Sequence, residues 1–156
     1  MKIKNMKWKI LFIFSFIIIS GIFMGVSCGD SLFLSNEDVI YENWQVRLPE
    51  GGKEIYYKSS EASFQGDGQR YSVYEYDNKD IIINAFDWQD KKDENMEKEI
   101  NEVFERLKED VKVAEEYNID FNKTYKYIRK IDYDNSHIYL IYIIDENRIY
   151  VIEDIY

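Results

Sequence analysis

One histidine, one cysteine and thirty carboxylates set the chemistry open to this chain of 156 residues. His137 follows an Asp-Asn-Ser turn at the head of an expected strand. Without a second imidazole it reads as a surface or strand-edge residue, not a general base. Cys28 closes an apolar N-terminal run, and no serine lies in a Gly-x-Ser-x-Gly context, so the expected set of catalytic residues is empty. Zinc would need several Cys or His ligands, which are lacking. Asp77, Asn78 and Asp80 offer oxygen atoms to a hard cation, yet the glycine and terminal glutamate of an EF-hand loop are missing, so they read as a turn. No Gly-x-Gly-x-x-Gly or P-loop pattern occurs. The expectation is therefore no metal, no cofactor and no nucleotide.

The most distinctive local stretch is Ser63-Phe64-Gln65-Gly66-Asp67-Gly68-Gln69-Arg70-Tyr71. Two glycines around an aspartate permit the positive φ that a tight hairpin needs. In a second reading, Phe64, Asp67, Arg70 and Tyr71 sit at a loop tip as a candidate binding loop, because loops on rigid sheets often carry function. A hydrolase working on envelope polymer would need two carboxyl groups flanking a cleft, and Asp67 with Glu75 is the pair available for it.

Strands must hold that loop. Apolar alternation and turn chemistry predict strands over 44–48, 55–63, 69–76, 81–88, 125–133, 137–144 and 148–155. Residues 137–144 are apolar on both faces, as in an interior strand. Period 3.6 takes over across 93–118, where Met96, Ile100, Val103, Phe104, Leu107 and Val111 form one stripe and Asp93 suits the cap. The expected fold is α+β: an antiparallel sheet of six to seven strands with one long amphipathic helix packed on one face, following an N-terminal signal or anchor helix. Tyrosines alternate through the strands. Packing explains most of them, but one helix leaves one sheet face uncovered, so an aromatic face open to a partner is expected too.

Charge narrows the partners. Setting aside Lys2, Lys4, Lys7 and Lys9, 16 basic residues remain against 30 acidic ones, a formal charge of −14. Such a body repels nucleic acid and attracts a basic protein or peptide. Excess acid also simply keeps a tethered domain soluble.

Residues 1–9 are basic, 10–26 are uncharged and almost wholly apolar, and Ser27-Cys28-Gly29 ends the run. That is the layout of a secretory signal. Gly25-Val26-Ser27-Cys28 resembles the lipobox of bacterial lipoproteins, with Gly25 where leucine is usual. The resemblance implies lipidation of Cys28, cleavage before it, and a body held on the extracytoplasmic face of the cell membrane. The same apolar run also suits an uncleaved single-pass anchor, which puts the body on the same side. The organisation read is 1–28 signal peptide or anchor, 29–38 tether, and 39–156 a single domain. The Phe-x-Gly-Asp-Gly stretch followed by Arg-Tyr is similar to one in small exported proteins of low-GC Gram-positive bacteria, and it implies no activity. The function expected is a non-catalytic protein- or peptide-binding module, with the hydrolase and a structural part of an envelope assembly as alternatives.

Mass spectrometry of the membrane-extracted protein should find a diacylglycerol-modified N-terminus at Cys28, since two acyl chains anchor stably where one does not. An intact segment 1–28 with a free thiol would establish the uncleaved anchor instead.

Overall fold

The computed structural model describes residues 34–60, 67–110 and 113–156. The expected leader, Cys28 and the first half of the tether, 29–33, lie outside them. Among the described residues no helix is long and apolar enough to cross a membrane. The chain divides into two units, Met1–Val39 and Ile40–Tyr156. In the described part of the first unit, the Ser35 hydroxyl accepts from the Asp38 amide at 3.2 Å and donates to its carboxylate at 2.6 Å, capping a helix.

That helix, α1, spans Asn36–Trp44, so the last residues of the expected tether are helical. It is followed by β1 (Lys53–Ser59), β2 (Gly68–Glu75), α2 (Lys79–Ala85), α3 (Glu94–Asp110), a 3-10 turn (Glu115–Tyr117), β3 (Tyr125–Ile131), β4 (His137–Ile143) and β5 (Arg148–Ile155). The fold is α+β with one antiparallel sheet in the order β1-β2-β5-β4-β3.

The sheet is buried on both sides. Met96, Ile100, Val103, Phe104 and Leu107 of α3 share one apolar cluster with Tyr71, Val73, Tyr139, Ile141, Tyr150 and Ile152. The alternate residues of the same strands, Tyr74, Ile138, Leu140, Tyr142, Ile149 and Val151, form a second cluster with Ile40, Trp44, Leu48 and Ile82. Period-two alternation sends neighbours on a strand to opposite clusters. At α3 the Asp93 carboxylate accepts from the Asn95 and Met96 amides, each at 3.1 Å.

Five strands, rather than six to seven, are present among the described residues. Segment 44–48 is not a strand. Trp44 ends α1, Gln45 takes φ 53°, and the following residues run without a strand partner. Trp44 and Leu48 are nevertheless buried with Val46 half-buried, so the alternation reported burial on one side and not pairing. Segment 81–88 is not a strand either. The Asn78 side chain accepts from the Asp80 amide at 2.9 Å and starts α2, and the Trp88 indole closes onto the Ile82 carbonyl at 2.8 Å. A local cap thus outweighs the β preference of three isoleucines. The aromatic face expected to stand open is covered by these two misread segments. Gly52 fits beneath that cover, because a Cβ there would meet the Tyr76 ring at 2.6 Å.

A central strand would need all three isoleucines, whereas in α2 Ile82 is 0% exposed and Ile81 and Ile83 are 42% and 38% exposed. Ile82→Ala should therefore cost about 2–5 kcal/mol in urea unfolding, and Ile81→Ala or Ile83→Ala less than about 1 kcal/mol each.

Candidate functional site

The start of β2 and the end of β5 lie side by side, with Gln69 opposite Asp154 and Arg70 opposite Glu153. Two adjacent acids in a strand must face opposite sides of the sheet. Both are buried, Glu153 at 3% and Asp154 at 2% exposure, so each needs compensation on its own face. Glu153 accepts from the Trp44 indole N–H at 2.8 Å and faces Arg70 Nη1 at 3.6 Å. Asp154, on the α3 face, accepts from Arg106 Nη2 at 2.5 Å, Gln69 Nε2 at 3.1 Å and the Tyr156 hydroxyl at 3.1 Å.

Three hollows open at this end of the sheet. One of about 350 Å³ lies between Asn43, Trp44, Arg70, Asp132, Asp134 and Ser136. A second of about 210 Å³ runs past Tyr57, Ser60, Asp67 and Arg70. The third, about 370 Å³, is bounded by Asp67, Gln69, Arg106 and Tyr156. Arg70 Nη1 is buried beside the first two with no hydrogen-bond partner. At 3.6 Å its contact with Glu153 is an ion pair and not a hydrogen bond.

A separate network occupies the α3 face. The buried Tyr139 hydroxyl donates to Glu99 Oε2 at 3.0 Å, and Arg129 Nη1 lies 2.9 Å from the same oxygen. Burial first, then Glu99, pushes the Tyr139 phenol well up. Its one proton being given to the carboxylate, the 3.0 Å contact with His137 Nδ1 requires that nitrogen to donate. A hollow of about 410 Å³ adjoins Glu99 and Arg129, and these two charges pair with each other.

Of the four residues of the candidate binding loop, Phe64 lies outside the described residues. Asp67 lines two of the hollows, and Arg70 forms the ion pair. Tyr71 is not at a loop tip. It is fully buried, edge-on to Phe104 at 4.9 Å, with its hydroxyl donating to the Tyr117 carbonyl at 2.5 Å. As neighbours on β2, Arg70 and Tyr71 point to opposite faces, so one of them had to join the core. Asp67 and Glu75 do not share a cleft. They flank the length of β2, about 26 Å apart at 3.3 Å per residue, and Glu75 pairs with Arg148 at 3.0 Å. Asn78 is spent on capping, and no group of three His, Cys, Asp or Glu suited to a metal occurs among the described residues.

Reading the sequence missed Trp44, Arg106, Glu153 and Asp154 as partners. A signal was there: Glu153-Asp154 interrupts an apolar strand, and two adjacent acids in a buried strand demand a cation or donor on each face. No protein family, no curated protein and no solved structure matches this chain.

Burial pushes the Glu153 carboxyl up from its ordinary value, against the pull of Trp44, Arg70 and Asn43. A carboxyl that holds its proton more tightly folded than unfolded makes stability fall as pH rises between its two pKa values. Asp93, Asp120 and Asp134 are held low, chiefly by the backbone amides of Met96, Asn122 and Ser136, so their contribution is lost only at more acid pH. As the pH is lowered toward the ordinary range of a glutamate, the melting temperature of the wild type should rise relative to Glu153→Gln. Parallel melting curves for the two proteins would show that the Glu153 proton is not coupled to folding.

Proposed function

We propose that this chain is a lipid-anchored extracytoplasmic protein whose domain is a non-catalytic module that binds a protein or peptide at the charged end of the sheet. The observation carrying this reading is the convergence of three hollows on the β2 start and the β5 end, with an unsatisfied guanidinium N–H between two of them. Both sheet faces are filled by packing, which leaves ends and edges for recognition. The leader with its lipobox-like Gly25-Val26-Ser27-Cys28 supports the address, and Cys28 is the anchoring residue. Buried charge at a cleft is an arrangement that functional sites share.

Photo-crosslinkers placed at Tyr133 and Asp67, at the sheet end, and at Ile83 on α2 test this in intact membranes. The sheet-end probes should capture a common partner and the Ile83 probe should not. Capture from all three positions in a stable stoichiometric complex would instead favour a structural part of an envelope assembly.

A further inference from the structure

The turn joining β3 to β4, Asp132-Tyr133-Asp134-Asn135-Ser136, borders the largest hollow at the sheet end that touches Arg70. It is tied down at both ends. The Asp132 amide donates to the Ser136 carbonyl at 2.9 Å, the Asn135 amide to the Asp132 carbonyl at 3.1 Å, and Asn135 takes φ 68°. Each carboxylate keeps one oxygen on a backbone amide, Asp132 on Tyr133 at 2.7 Å and Asp134 on Ser136 at 2.8 Å. Neither carboxylate has an ion-pair partner among the described residues, whereas Glu75, Glu99, Glu146 and Asp154 do. Tyr133, between them, is 93% exposed, while Tyr71, Tyr74, Tyr139, Tyr142 and Tyr150 are buried. The half-exposed Ile131 precedes it.

The hollow behind this turn has an apolar wall, Trp44 and Ile155, and an orphaned donor, Arg70 Nη1. That combination excludes several occupants. A hard cation wants six or more oxygen ligands, and two carboxylates each already bonded to an amide fall short. A phosphate would face Asp132, Asp134 and Glu153, with Arg70 already set against Glu153. A cation with an aliphatic stem fits, the stem along the apolar wall and the charge at the rim, as basic side chains divide themselves. An exposed tyrosine between two acids suits a cationic group both as a ring face and as a contact anchor. The excess of acid over the body draws basic partners toward it.

We propose that this hollow takes a basic peptide segment, its Lys or Arg side chain held between Asp132 and Asp134 against Tyr133. This rests on the binding-module reading and names its partner class.

The test uses the full chain in nanodiscs of zwitterionic lipid and three labelled probes: acetyl-Gly-Lys-Leu-Gly-amide, its Arg counterpart and its Glu counterpart. Fluorescence anisotropy should show the Lys and Arg peptides binding and the Glu peptide not. Asp132→Asn with Asp134→Asn should weaken binding about tenfold or more, the scale of losing a charged pair. Tyr133→Ala should weaken it several-fold, and Ile83→Ala, at an exposed position on α2, should leave it unchanged. All four substituted residues are exposed, so the variants keep the fold, and circular dichroism verifies that they do. Equal binding by the Asp132/Asp134 variant would mean attraction by overall charge alone and would overturn it. Absence of binding by both basic peptides overturns the occupant. If sheet-end crosslinks persist in that case, the binding-module reading stands, and if they vanish it falls as well.

Discussion

The pairing of β2 with β5 runs over eight positions, from Gly68 opposite Ile155 to Glu75 opposite Arg148, and the rest of the domain is arranged around it. It joins two pieces that are local in sequence, the β1–β2 hairpin and the β3–β4–β5 meander. Its partners are as far as 87 positions apart, so closing it carries a loop-entropy cost that only extensive burial offsets. β5 supplies that burial, since six of its eight residues are inaccessible and its two faces feed both apolar clusters. Without this pair neither α3 on one side nor α1 and α2 on the other would have a continuous sheet to cover.

Charge marks both ends of the same ladder. Arg148 sits opposite Glu75 and bonds it through Nε and Nη2, and Arg70 sits opposite Glu153. Such pairs add little net stability, because removing charge from water offsets most of the attraction. Their value is register. A slip by one residue would reverse the faces of Glu153 and Asp154, taking the first from Trp44 and the second from Arg106. The end of the sheet is therefore polar by construction while its middle is dry. Three hollows and the unpartnered Arg70 Nη1 lie at that polar end.

Tyrosine abundance has a corresponding physical account. A ring fills a sheet interior and its hydroxyl must still find an acceptor. Tyr71 reaches the Tyr117 carbonyl, Tyr139 reaches Glu99, and Tyr150 reaches Glu146. Burial raises each of these phenols above its ordinary value, so they remain neutral donors at physiological pH. The aromatic content expected to form a recognition face is thus mostly structural cement. Tyr133 stands outside that role, since nothing in the core needs it.

Local patterning in the sequence determined the α+β class, the stripe of α3 with its Asp93 cap, the meander after Phe121 and the interior place of β4. All of these rest on interactions within a few residues of one another, or on burial that leaves a periodic trace. It also showed the acid excess and the basic, apolar N-terminal run ending at Cys28, which are matters of composition and order. Tertiary structure decided what those traces could not distinguish. Alternation at 44–48 and the isoleucines at 81–83 say that one side is apolar, and a covering segment or short helix meets that demand as well as a strand does. Which of Arg70 and Tyr71 enters the core depends on the parity of β2 against β5, a register set by contacts more than 80 positions distant. The site at the sheet end has the same origin. Trp44, Arg70, Arg106, Asp132 and Glu153 are scattered through the chain, and only the docking of β5 against β2 brings them to one place.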